Sequence, residues 1–281
     1  MRPQAQALLK SLLSNSGRVE ELLRFLPSDL AQEISRAENV QTFNPTIAFS
    51  PIQWSLPIHY SWFSEAIKGC PKTVQDLFLG TLTPEQAQGI LAMLSLHAVV
   101  RPASSFLRPF LLDFLRKTIE EPDLLSQEHL PPSLLNPLLY LERKRLIHIV
   151  DILGVYDLAA DLRQVVDKEL LRKIEAALTK EQIHFLHYFS KQPLKWISPK
   201  LGLLAWDGTK KQLNHLLHYR GLIRLAKSIV QEDQSFKWHL LHRLDTGRAK
   251  IIQKELYQKQ DPALIPYFKN QVIHLAKRYS P

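Results

Sequence analysis

One cysteine and nine glycines stand among 281 residues, and each scarcity closes off a class of protein. The lone Cys70 allows no internal disulfide framework and suits a reducing compartment. None of the glycines falls in a Walker or dinucleotide-binding arrangement, so no phosphate-cradling loop is present. No stretch approaches the roughly twenty uninterrupted apolar residues that a membrane span needs. Strand signals are equally sparse. There is no Asn-Gly turn between alternating runs, and Asp207-Gly208 sits where a short helix begins. At the N-terminus Leu8, Leu9, Leu12 and Leu13 are interrupted by Lys10, Ser14 and Asn15, and no small-residue cleavage site follows. No secretory leader is expected, and the chain reads as cytosolic.

What the sequence does contain is helix. An apolar fraction of 45% is ample for packing, and the length implies two or three subdomains. A module recurs at a period of about seventy residues. Leu146-Ile147-His148-Ile149-Val150, with Gly154, Leu158 and Ala159, returns sixty-seven residues later. The second copy reads Leu213-Asn214-His215-Leu216-Leu217, with Gly221, Leu225 and Ala226. A weaker third copy places Val74, Leu77, Phe78, Gln86 and Ala87 seventy-two residues upstream of the first. Repeats on this scale signal stacked helical units that bury their apolar faces against one another. The expected fold is all-α, two to three helical subdomains of armadillo-like repeats joined by proline-rich linkers.

Punctuation along the chain divides it. Residues 1–57 read as two short helices, with Ser28 a cap, followed by a proline-rich extended connector. A helical unit is expected over 58–125. Within it Thr83-Pro84-Glu85-Gln86 is a strong helix start, with Thr as cap and Gln where a capping box wants it. Prolines between Pro102 and Pro137 mark a boundary, a second repeat unit follows over 126–193, and Pro193 and Pro199 precede a terminal domain over 194–281.

The net charge of +9 is concentrated in the last of these. From Lys191 onward seventeen Lys or Arg face six Asp or Glu, whereas the rest of the chain holds nineteen against twenty-one. The final third should therefore attract an acidic partner, and the attraction should weaken with salt.

That third also carries a resemblance. The run Trp206-Asp207-Gly208-Thr209-Lys210-Lys211-Gln212-Leu213 resembles the leucine-aspartate turn and following helix in the C-terminal domain of the flagellar motor switch protein FliG. Leu222 to Lys227, Leu244 to Leu256 and Val272 to Tyr279 follow in the family's order and spacing. Upstream, Gly69 to Val74 and Leu82 to Leu91 are similar to segments of the family's middle domain. The family's charged, stator-facing helix is altered here. The matched positions read Arg243, Asp245, Arg248, Lys250, Lys254 and Glu255, and only Lys227 and Glu255 keep the family's sign. The middle-domain Glu-His is replaced by Gly69-Cys70.

The resemblance implies a non-enzymatic scaffold or adaptor without cofactor, at the cytosolic base of a flagellum-like or type III secretion apparatus. Its partners would be acidic faces of ring or sorting-platform proteins, self-association into a homo-oligomer is among them, and the membrane would be approached only through those partners. The candidate contact residues are Lys227, Arg243, Arg248, Lys250, Lys254 and Glu255.

Other chemistry is thinly supported. His184/His187, His215/His218 and His239/His242 have the spacing for a shared helical face, but no Cys or Glu-x-x-His accompanies them. They are expected to flank core leucines, and no metal site is assigned. No protease or redox motif surrounds Cys70, which reads as packing. The pairs Glu120/Glu121, Glu232/Asp233 and Asp157/Asp161 read as solvated faces or helix-start charges. Nucleic-acid binding through the basic third is the alternative function, with Trp238, Tyr257, Tyr267, Phe268 and Tyr279 among the lysines. Against it, Trp238 and Phe268 sit at helical positions expected to be core.

Overall fold

A computed structural model describes residues 54–279 except positions 98, 122, 196, 198, 204 and 205, together with Arg24, Phe25 and Ser28. The expectations for the N-terminal helices and most of the connector lie outside the described residues. Among the described residues the regular secondary structure is helical, and there is no strand. Eleven α-helices run α1 Ser61–Lys68, α2 Lys72–Thr81, α3 Pro84–Leu94, α4 Leu107–Ile119, α5 Arg143–Leu162, α6 Lys168–Ala177, α7 Lys180–Ser190, α8 Lys210–Ser228, α9 Gln234–Arg243, α10 Thr246–Leu256 and α11 Ile265–Tyr279. No helix among the described residues is long and apolar enough to cross a membrane.

Local chemistry sets many of the starts. Thr83 caps α3 as the sequence predicts, its hydroxyl accepting from Gln86 N at 3.2 Å while Gln86 Oε1 accepts from Thr83 N at 3.2 Å. Thr179 and Gln182 repeat the arrangement at α7. Asp167 and Asp233 cap α6 and α9 by accepting backbone N–H groups two residues on.

Two compact units result. One comprises residues 54–132 and 233–246, the other 133–232 and 247–279. The expected terminal domain over 194–281 is thus divided, because α9 belongs to the first unit. Trp238 of α9 is buried among Phe63, Ile67, Phe78, Ile90 and Leu112. Its indole Nε1 donates to Ile119 O at 3.3 Å, and Trp62 Nε1 donates to Leu244 O at 2.9 Å. The end of the first stretch, at 132, falls in the proline-punctuated region. The second expected boundary, at Pro193 and Pro199, lies inside the second unit. Polar side chains of α5 and α8 hold that backbone: Arg224 donates to Lys195 O, Arg220 to Ile197 O, and Asp161 accepts from Leu201 N.

The second unit is organised by α5 and α8, which carry the sixty-seven-residue motif. Their glycines allow the helices to touch backbone to backbone. A Cβ at Gly154 would collide with the carbonyl of Leu217, and one at Gly221 with the carbonyl of Val150. The recurrence extends beyond this pair. Helices α8, α9 and α10 begin sixty-six or sixty-seven residues after α5, α6 and α7. The upstream copy is differently placed: the motif that fits one helix, α5, falls on two, because Val74, Leu77 and Phe78 lie in α2 while Gln86 and Ala87 lie in α3, beyond the Thr83 cap. The bounds of α2 and α3 instead precede those of α6 and α7 by ninety-six residues.

Candidate partner-binding face

Five of the six contact residues expected from the sequence lie in the second unit and one, Arg243, in the first. They do not form a single surface within either. Lys227, Arg248 and Glu255 are engaged inside the second unit, and Lys250 and Lys254 are exposed.

Glu255, on the buried side of α10, accepts from Gln258 Nε2 at 3.1 Å through its carboxylate and from Gln260 Nε2 at 3.0 Å through its backbone oxygen. Lys227 donates to Gln260 Oε1 at 2.7 Å and reaches Glu255 only at 3.9 Å. Burial holds its ammonium below the ordinary lysine range, with Glu255 pulling the other way. Arg248, in the first turn of α10, donates from Nε to Nε2 of His218 at 2.8 Å. His218 Nδ1 lies 2.6 Å from Asp151 Oδ1.

The outer side of α10 carries what remains. Ala249, Ile252 and Glu255 are buried, Lys250 and Lys254 are exposed one turn apart, and the exposed Tyr257 follows in the turn just after Leu256. Tyr257 is 90% exposed. Two ammonium groups one turn apart beside an uncovered phenol ring can grip an anionic surface by charge and by ring contact. Tyr257 is not among the contact residues expected from the family resemblance. The signal was its position seven residues after Lys250.

The carboxylate pairs depart from expectation. Asp157 is 1% exposed and Asp161 is 8% exposed, so neither lies on a solvated face. Asp157 accepts from Arg220 Nε at 2.7 Å and from Arg224 NH2 at 2.5 Å, and Arg224 also donates to Gln271 Oε1 at 2.6 Å. The Arg224 guanidinium lies 5.4 Å from the ring centroids of both Tyr156 and Phe268. Glu232 is covered and pairs with Lys269, while Asp233 is the helix-start charge expected. Glu120 is half-buried, and desolvation lifts its carboxyl above the ordinary range.

The histidine pairs are divided in environment. His184, His187 and His215 are exposed. His239 and His242 are buried in the first unit: His239 Nε2 lies 2.7 Å from Leu125 O, and the His242 ring stacks on Trp238 at 3.8 Å and meets Trp62 at a tilt, 3.9 Å between centroids. Among the described residues no group of three or more His, Cys, Asp or Glu could hold a metal ion. Cys70 donates its thiol to Ala66 O at 3.3 Å. Trp238 and Phe268 are core residues, as expected.

Set against known protein families, characterised proteins and solved structures, the chain matches none.

Proposed function

We propose that the chain is a non-enzymatic scaffold or adaptor whose second unit docks an acidic protein partner on the outer face of α10. The observation that carries this reading is the exposed pair Lys250 and Lys254 on a helix whose other side is buried, with the exposed Tyr257 in the turn directly after it. The FliG resemblance supplies a place for such a contact, the cytosolic base of a flagellum-like or type III secretion apparatus. The recurrence of α5–α7 as α8–α10 is consistent with an armadillo-like repeat, an architecture that presents surfaces to partners.

Reversing Lys250 and Lys254 to Glu tests the reading. The partner is first recovered by pull-down of the tagged protein at moderate and high salt, and its affinity for wild type and variant is then measured. The double variant should lose roughly tenfold or more in affinity, the wild-type interaction should weaken as salt rises, and helical content should stay unchanged. Unchanged affinity would reject this face.

The nucleic-acid reading is favoured by one observation, the exposed Tyr257 between Lys254 and Lys259, which suits stacking beside phosphate contacts. Binding to short duplexes or single strands with a steep salt slope would support it over the protein partner.

A further inference from the structure

Three exposed phenylalanines of the first unit stand in one row. Phe106 caps α4, and Phe110 and Phe114 follow at intervals of four, so one face of the helix carries all three rings. They are 75, 65 and 51% exposed, and Leu107 beside Phe106 is exposed as well. The row is anchored from beneath. Leu112 and Leu115 of α4 are fully buried in the core of the unit, and Arg108 Nε donates to Thr81 O at 3.1 Å. The Phe114 ring lies 5.6 Å from that of the buried Phe78, and Phe106 and Phe110 are 5.6 Å apart between centroids.

We infer that this row is a self-association face, on which a second copy of the chain packs its own α4 antiparallel about a two-fold axis at Phe110. The spacing is its own complement. Such an axis sets Phe110 against Phe110, and Phe106 of each copy against Phe114 of the other. The area suits a dimer. The three rings leave about 400 Å² open, taking roughly 200 Å² for a whole phenylalanine. One side of a standard interface takes roughly 800 Å², somewhat more than half of it apolar, so the row supplies most of the apolar share. Because the rings stand on an anchored helix, docking freezes little that was free.

Charge favours the same occupant. Over residues 54–132 and 233–246 eight Lys or Arg face ten Asp or Glu, so the unit has almost no net charge with which to repel its own copy. The charges next to the row match one another on α4 itself, where Asp113 pairs with Arg116 at 2.7 Å and with Lys117 at 2.8 Å. A strongly acidic or basic partner would meet no opposite field there, whereas a second neutral apolar face meets its equal.

Sedimentation of the full chain over roughly 1–200 µM tests the inference. Wild type should pass from monomer to dimer as concentration rises, and added salt should leave the dimer as tight, unlike docking on α10. Phe110→Lys and Phe110→Glu, which alter an exposed side chain, should each raise the dissociation constant roughly tenfold or more with helical content unchanged. Mixed in equal amounts, the two variants should associate more tightly than either alone, because the axis sets the lysine of one against the glutamate of the other. The chain with both Lys250→Glu and Lys254→Glu should dimerise as wild type does, so failure of the α10 reading and failure of this one are told apart. A wild type that stays monomeric throughout, a dimer that Phe110→Lys leaves as tight, or a mixture no tighter than its components would each overturn the proposal. Loss of the dimer in the Lys250, Lys254 double variant would do the same.

Discussion

Asp157 and Arg224 occupy the same place in two copies of one motif, sixty-seven residues apart, and they bond to each other at 2.5 Å. Asp151 and His218 are also sixty-seven apart and meet at 2.6 Å. The glycine contacts obey the same rule with partners exchanged, Gly154 against Leu217 and Gly221 against Val150. Helices α5 and α8 therefore run parallel about a local two-fold relation, as in an isologous interface where i meets j and j meets i. Positions facing their own equivalents would set like charge against like in identical copies. In this chain they have diverged to acid on α5 and base on α8.

Close backbone approach makes the sign of a glycine substitution informative. In an open helix, Gly→Ala stabilises by up to about 1 kcal/mol. At Gly221 the added methyl would meet the Val150 carbonyl, so the helices must part, at about 1–3 kcal/mol or more. Gly221→Ala and Gly154→Ala are expected to lower the urea midpoint by similar amounts. A raised midpoint in either would contradict the backbone contact.

The cluster around Asp157 places two guanidinium groups on one carboxylate, with Arg224 wholly covered. Removing the carboxylate leaves buried cations without a counter-ion, which costs about 3–5 kcal/mol. Asp157→Asn should destabilise the second unit by that amount, and added salt should restore little because the pair is out of reach of counter-ions. Denaturant unfolding at low and high salt measures both.

Acid should weaken the first unit through His242. Burial depresses its imidazole to about 4, and burial also lowers His239. Near and below pH 6.5 the unfolded chain takes up a proton that the folded ring refuses, so stability falls from about pH 6.5 down to about 4 and levels off beneath it. At pH 5 the His242 contribution amounts to about 2 kcal/mol. Urea unfolding at pH 7.5 and 5 should show that loss in wild type, and His242→Gln should lack it. An equal loss in the variant would remove His242 as the cause.

Much of the fold was legible in the sequence because its signals are local. The Thr83 capping box, the helical pattern of α3 and α4, and the core positions of Trp238 and Phe268 depend on neighbours within a few turns. The motif shared by α5 and α8 was visible too, although that the two copies pack on each other was not, since a period states similarity and not adjacency. Burial of Asp157 and Asp161 was hidden for a different reason. A carboxylate on a helix looks the same whether it meets water or an arginine sixty-seven residues away. Arg248 and Glu255 were picked out by charge, but charge alone does not say that one donates to His218 and the other lies on the buried side of α10. The assignment of α9 was also out of reach, because its composition continues the basic tail without a break.

That helix has a consequence for how the chain is made. The first unit needs Trp238, and the hydrogen bonds at Ser235, His239, Leu244 and Thr246, to complete its packing. Synthesis delivers α1 to α4 early, yet their hydrophobic surface stays unsealed until more than a hundred further residues have left the ribosome. Most of the second unit emerges in that interval, so the element translated first is finished late, and a ribosome stalled before residue 233 would hold a half-open domain suited to capture by chaperones.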